Sequence, residues 1–354
     1  MITIGVDAHK QVHVAVAVDE AGRKLDDYEI PNKPGAWQEL YEWAYNLGDA
    51  RQWGVEGSGS YGRGLAQHLV VAEEVVFEVN PRLTAAGRRR ARRSEKTDGL
   101  DAHSVAMAVL REGTGLPQVI ADDETAVLDL LTTERETLVV EASGLRNRIH
   151  MLLMHIDPEY KQKLPKLTSK AGVKRVLRYS ARSGSALQQE QAAMVRRHAK
   201  RMALALEQAD ELERQIEELT QTVYQPLTEL SGVSLLTAGA LAGILGPEGR
   251  FERESQLAAY SGAAPLETSS AGKVRHRLNR SGNRRFNAIL YRIVLTQSQR
   301  LEEAKAYLKR RMSEGKTRRE AIRALKRYIV RAVWRLWQRC LALKHSQTSV
   351  KMAA

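Results

Sequence analysis

Two short runs rich in β-branched residues open the chain, ITIGVDA at 2–8 and VHVAVAV at 12–18. Segments of this length and composition form strands rather than helices. Lys10 and Gln11 leave room only for a tight connection between them. A third strand is expected over 25–30, after the turn Glu20-Ala21-Gly22, and helical spacing follows over 35–46. Gln52–Glu56 reads as a short strand ending in an acid. A Gly/Ser loop (57–60), a helix near 61–72 and a strand near 74–79 come next. Strands first, then alternation of helix and strand, predict a mixed α/β sheet.

Beyond it the pattern turns helical. Residues 97–112 form a candidate helix with Thr97 as its cap. Residues 123–155 and 188–224 carry long helical periodicities, joined by a Pro-, Gly- and Ser-containing stretch at 158–185. Two long helices so joined predict an antiparallel coiled-coil arm, with a helical bundle packed on the sheet as the alternative. Pro226 ends that pattern. LSGVSLLTAGALAGILG (230–246) reads as a helix-hairpin-helix-like segment turning at Gly232, which could offer backbone N–H groups to a phosphate. Further helices are expected over 283–312 and 317–343, with Trp334 and Trp337 in core or interface positions. The 354 residues thus divide into a sheet region 1–121, an arm 122–225, an all-α distal region 226–345 and a flexible tail 346–354.

The charge is uneven. The net formal charge is +13, yet residues 272–344 hold 22 Lys/Arg against only Glu302, Glu303, Glu314 and Glu320. A second block carries Arg82, Arg88, Arg89, Arg90, Arg92, Arg93 and Lys96 against Glu95 alone. Arginine-rich, nearly acid-free blocks fit a polyphosphate partner, because each neutralised phosphate releases a condensed counterion. No stretch of 18 apolar residues occurs, so no membrane partner is expected, and MITIGVDAHK is not a signal peptide. A single cysteine, Cys340, excludes an internal disulfide and a cysteine-based zinc cage. The expected location is cytoplasmic.

Four carboxylates stand out. Asp7 closes the first strand, Glu56 closes a later one, and Asp98 and Asp101 share one face of a helix. Taken singly they read as a turn cap, a surface acid and first-turn helix acids. Their order, beside the arginine block, points instead to convergence at one sheet edge. Converging carboxylates need cations, and hard oxygen ligands suit magnesium, with manganese as the alternative ion. Two such ions could clamp a phosphodiester. His9 and His103 are accessory candidates.

The distal stretch from Tyr260 to Asn287 places Ser269 and Ser270 in a polar loop before Gly272 and Lys273. No protease triad or GxSxG elbow accompanies them. A serine hydroxyl needs activation, or a stabilised leaving group, to act as a nucleophile; on local chemistry a turn or phosphate-contacting role is the simpler reading. Lys273, Arg275, Arg277, Arg280, Arg284 and Arg285 would clamp a backbone in either case.

GVDAHK, VEGSGSYG, KTDGLDA and PLETSSAGK followed by RLNRSGNRRF occur in this order between Ile2 and about Tyr291. Together they resemble the DEDD transposases of the insertion-sequence 110 family, the group of the pilin-gene invertases and bridge-RNA-guided recombinases. The resemblance implies an N-terminal ribonuclease-H-like, RuvC-type domain, a coiled-coil arm and a C-terminal helical transposase domain. It implies metal-binding acids at Asp7, Glu56, Asp98 and Asp101 and a serine nucleophile that links transiently to DNA. The family serine is followed directly by glycine; here Ser270 is followed by Ala271 and then Gly272, and Ser269 is the reserve. Donor and target double-stranded DNA, a guide RNA, assembly as a homodimer or tetramer, and association with the bacterial nucleoid follow as expectations. A metal-only junction nuclease using water and a catalytically silent nucleic-acid scaffold are the rivals. An actin-like sugar kinase is a third rival, set aside because no second Gly-rich phosphate-binding loop follows at a suitable distance in this chain.

Overall fold

The computed structural model describes residues 1–88, 98–181, 184–264, 266–267, 276–277, 279 and 282–353, of which 85–88, 98, 266–267, 276–277 and 348–353 are described by backbone alone. Strands β1 (Ile2–Ala8), β2 (Val12–Val18) and β3 (Lys24–Pro31) form an antiparallel meander. Helix α1 (Pro34–Leu47) leads to β4 (Arg51–Glu56), and α2 (Arg63–Val71) leads to β5 (Val76–Val79). Strand β4 pairs parallel with β1 and β5 parallel with β4, so the sheet order is β3-β2-β1-β4-β5. The expected mixed sheet is present.

Strand alternation sorts the side chains. Ile4, Val6 and Ala8 point to one face and are covered by Ala36, Leu40 and Ala44 of α1 and Leu65, Ala66 and Leu69 of α2. On the other face Val14, Val16 and Val18 meet Ala102 and Ala106 of α4 (Asp98–Glu112). Val105 and Val109 of α4 continue the same layer onto Phe77 and Val79. Below the sheet edge, Arg51 and Glu74 form a buried ion pair, and Trp53 Nε1 donates to the same carboxylate at 2.8 Å.

The chain divides into two compact units. One joins residues 1–126, 226–233 and 244–354; the other joins 127–225 and 234–243. In the second, α5 (Glu124–Ile156) and α8 (Ala186–Val223) lie side by side. Arg135 meets Glu213 at 3.0 Å, Arg201 meets Glu141 at 3.0 Å, and Gln188 Nε2 donates to the Ile156 carbonyl at 3.4 Å. Partners thus fall in reverse order along α8, and the two helices are antiparallel. Leu138, Leu145, Ile149 and Leu153 face Val195, Ala199 and Met202 across the seam. The connecting stretch is partly helical, with α6 (Tyr160–Lys163) and α7 (Lys170–Leu177); Tyr160, Leu167 and Val176 pack into the same core.

In the distal region a single 3-10 turn (Gln225–Glu229) stands where the hairpin reading expects a helix. Gly232 (φ +92°) turns the chain, and the Ser234 hydroxyl accepts from Thr237 N at 3.3 Å to open α9 (Leu235–Leu245). After α10 (Glu254–Tyr260) comes a two-stranded ribbon of β6 (Leu266–Glu267) and β7 (His276–Arg277), so the region is not purely α-helical. The expected 283–312 helix is two, α11 (Arg284–Arg300) and α12 (Glu302–Ser313). Leu301 between them is extended, and Glu302 and Glu303 favour a fresh N-terminus there through the helix dipole. The last helix, α13 (Arg318–Ala353), continues past Ser346, and Trp337 is buried in it as expected. Within the first unit, Arg250 pairs with Glu78 at 2.6 Å and Lys344 with Asp123 at 2.6 Å, tying distal residues to the sheet region.

Candidate active site

Parallel pairing of β1 with β4 sets Asp7 directly opposite Glu56 and Gly5 opposite Gly54. All four lie on the sheet face covered by α4, because they share the alternation that puts Val14 and Val16 there. The two glycines are where the helix comes down. A Cβ at Gly5 would sit 2.9 Å from Ala106 Cα and closer still to the Ala102 carbonyl oxygen and Ala106 nitrogen. A Cβ at Gly54 would strike the Val109 and Val105 side chains. The helix then passes Gly22 at the β2–β3 turn, where an added Cβ would meet the Met107 side chain at 2.7 Å and Leu110 at 3.9 Å. It therefore runs back along β1, and its first turn lies toward the Asp7 end.

Asp101, in that turn, is 4% exposed and Asp7 is 6% exposed. Buried carboxylates so placed require compensating positive charge or donors. The positive end of the α4 dipole is one source. His9 Nε2 lies 3.1 Å from Asp7 Oδ2. Asp98 is the first residue of α4, one turn before Asp101, and its side chain lies outside the described residues. His103 does not join the acids: its Nε2 is 3.3 Å from the Gly22 carbonyl, at the opposite end.

One contact was not foreseen. Helix α3 (Pro81–Arg88) follows β5, and its buried Thr84 places its hydroxyl 2.8 Å from Glu56 Oε2. The hint in the sequence is a hydroxyl five residues past the end of β5, too common a pattern to single out. Gly57 (φ +75°) turns the chain immediately after Glu56, and Gly62 brings that loop back against Ala8 and Val55. The edge that holds the acids is thus walled by α3, the 57–62 loop and the start of α4.

The basic block spans the connection from α3 to α4. Arg88 ends α3, while Arg89, Arg90, Arg92, Arg93, Lys96 and the expected cap Thr97 lie outside the described residues. Ser269, Ser270, Lys273 and Arg275 also lie outside them, in the connection between β6 and β7, as does Arg280 after β7; Arg277 is described by backbone only. The base of that ribbon is tightly built. A Cβ at Gly282 would meet Gly262 Cα at 2.5 Å, and Gly262 itself holds φ +71°. Asn287 Nδ2 donates to the Ser261 carbonyl at 2.8 Å, and the Asn283 side chain caps α11 through Phe286 N at 2.9 Å. Arg284 and Arg285 open that helix.

Among the described residues no group of three or more His, Cys, Asp or Glu side chains is gathered to hold an ion. The donor chemistry nevertheless fits a hard divalent cation: two in-register carboxylates and a third on the helix over them. No helix among the described residues is long and apolar enough to cross a membrane.

Residues 4–158 match a family model of DEDD transposases of IS110 type, described as a transposase. Residues 224–309 match a second, the transposase IS116/IS110/IS902 family. The chain belongs to the IS110 family of transposases. Its relatives include the insertion element IS110 uncharacterized 43.6 kDa protein of Streptomyces coelicolor, 26% identical over 92% of this chain and 91% of the relative. The insertion element IS116 uncharacterized 44.8 kDa protein of Streptomyces clavuligerus is 24% identical over 94% of both. As an IS110-family transposase the protein is a DNA-processing enzyme of insertion sequences, and DNA is its substrate. The first matched stretch contains Asp7, Glu56, Asp98 and Asp101, and the second contains Ser269 and Ser270.

Proposed function

We propose that this transposase is a site-specific recombinase that excises and inserts its element through a transient phosphoserine link to DNA. The observation that carries the reading is the in-register pairing of Asp7 and Glu56 at the ends of β1 and β4, beneath the helix that bears Asp101 and opens at Asp98. The strand order, a three-stranded meander extended by two parallel strands, supports a ribonuclease-H-like, RuvC-type domain. Asp7, Glu56, Asp98 and Asp101 would hold magnesium or manganese, which when bound supplies positive charge to the scissile phosphate. Thr84 holds Glu56 in place from behind. Ser270, with Ser269 in reserve, attacks phosphorus through Oγ and gives up its proton. The bridging P–O bond to the neighbouring sugar breaks, leaving a free sugar hydroxyl. Reverse attack by a sugar hydroxyl restores a phosphodiester and the serine, so the phosphoester energy is conserved and no external energy source is required.

The Arg88–Lys96 and Lys273–Arg285 segments would hold DNA and a guide RNA. The antiparallel pair in residues 122–225 would act as a coiled-coil arm joining subunits in a dimer or tetramer. Tests are direct. Ser270→Ala abolishes both recombinant product and a denaturation-resistant protein–DNA adduct, while Asp98→Ala abolishes both in magnesium. An adduct-free chain that still cuts DNA in magnesium would make it a water-using nuclease. A discrete nuclease-protected RNA co-purifying with the chain supports guidance, and its absence argues for unguided recognition.

A further inference from the structure

A cavity of about 350 Å³ opens between α12, α13 and the base of the β6–β7 ribbon, where Gly262 and Asn279 form its floor. Its walls are cationic and aromatic. Arg311, Lys316, Arg323 and Arg331 line it beside Tyr307 and Tyr328. Arg327 also lines it but is held at 2.7 Å by Glu254, and Arg311 by Glu314 at 2.6 Å. Glu320 is the acid in the lining, 3.7 Å from Arg323. Among the described residues, five cations therefore face three carboxylates even when the outer partners are included. Tyr307 and Tyr328 meet edge to face at 5.4 Å, and the Arg331 guanidinium lies 5.5 Å from the Tyr328 ring centre. Tyr328 remains 52% exposed.

A concave site of this volume is at the small end of ligand pockets, enough for one nucleotide and too small for a duplex. Cations beside an accessible aromatic ring are the pairing that single strands use, phosphate on the cation and base on the ring. We infer that this cavity captures one unpaired nucleotide of a DNA strand, its phosphate on Lys316, Arg323 and Arg331 and its base against Tyr328. In sequence, Ser269 and Ser270 fall between the two ribbon strands. That the captured strand is also the one cleaved rests on the proposed serine chemistry; the capture itself does not.

The test is equilibrium binding of the full chain, carrying Ser270→Ala in magnesium-free buffer, to a fluorescein-labelled single-stranded DNA. A second oligonucleotide carries 2-aminopurine. Tyr328→Ala lowers affinity on the order of 10-fold and relieves the 2-aminopurine quench, while Tyr328→Phe retains both. Tyr45→Ala, exposed to a similar 55%, changes neither. Lys316→Ala and Arg331→Ala each weaken binding and reduce the log–log salt slope by roughly 0.7. A circular-dichroism melt shows that each variant is folded. Equal affinity and unrelieved quench in folded Tyr328→Ala would overturn the inference. Capture without any covalent adduct in the parent Ser270 chain would leave the cavity standing and remove the serine mechanism.

Discussion

Placing a methyl group at Gly5 is the sharpest single perturbation of the acid edge. The new Cβ would lie 2.9 Å from Ala106 Cα, about 0.5 Å inside the 3.4 Å at which ordinary contact begins, and nearer still to two backbone atoms of α4. Backbone atoms in mid-helix cannot rotate away, so α4 must lift by roughly 1 Å or β1 must bend, and overpacking of this kind costs about 1–3 kcal/mol. The lift carries Asp101 away from Asp7. A misplacement of that order can cost about 10²-fold in rate. Gly5→Ala is therefore expected to lower the urea midpoint with an unchanged m-value and to reduce DNA strand cleavage about 100-fold, with DNA binding retained. Gly144→Ala is the control: the site is in α5 with open space around it, and replacing a helical glycine stabilises by about 0.5–1 kcal/mol. A Gly5→Ala chain with wild-type midpoint and wild-type cleavage would refute the close packing of α4 on β1, and with it the geometry of the acid edge.

Further outcomes follow from individual contacts. Thr84→Val removes the hydroxyl beside Glu56, and should cost about 1–2 kcal/mol in chemical denaturation and depress cleavage, with Thr84→Ser restoring both. Glu74→Gln leaves Arg51 buried opposite a neutral amide and should destabilise by about 3–5 kcal/mol; a change under 1 kcal/mol would show that the pair is solvated. Lys326, whose ammonium donates to Asn287 Oδ1 at 2.7 Å, is pushed down to about 8 by burial, with Arg323 adding repulsion. Between pH 8 and 10.5 the unfolded chain holds this proton and the folded chain does not. Stability from this group therefore rises with pH across that window by up to about 3 kcal/mol, and Lys326→Met should flatten the rise. His13 is likewise lowered by burial, so its contribution has the same sign in the acid range: stability falls as pH drops below about 6.5, and His13→Phe should lose that slope.

Much of the fold was legible from local pattern. The β-branched runs place β1 and β2 at their observed bounds, and the periodicity of 123–155 and 188–224 comes within two residues of α5 and α8. Both signals depend on neighbours a few residues apart. The break at Leu301 escaped because apolar spacing continues across it, and only the extended backbone of one residue separates α11 from α12. The β6–β7 ribbon escaped because two-residue strands carry no alternation to read.

Asp7, Glu56, Asp98 and Asp101 could be singled out from the linear order of strand-end and helical acids. Residue types and short-range periodicity decide where strands and helices form, and hence which residues stand at their ends. Tertiary structure alone decided that Asp7 lies opposite Glu56, a pairing 49 positions apart set by the parallel register, and that Gly5 and Gly54 let α4 down upon them. It also decided that Thr84 backs Glu56 and that distal residues such as Arg250 join the unit of the sheet. Register and close approach are settled by packing across the whole chain, where one residue of slip would turn every side chain to the other face.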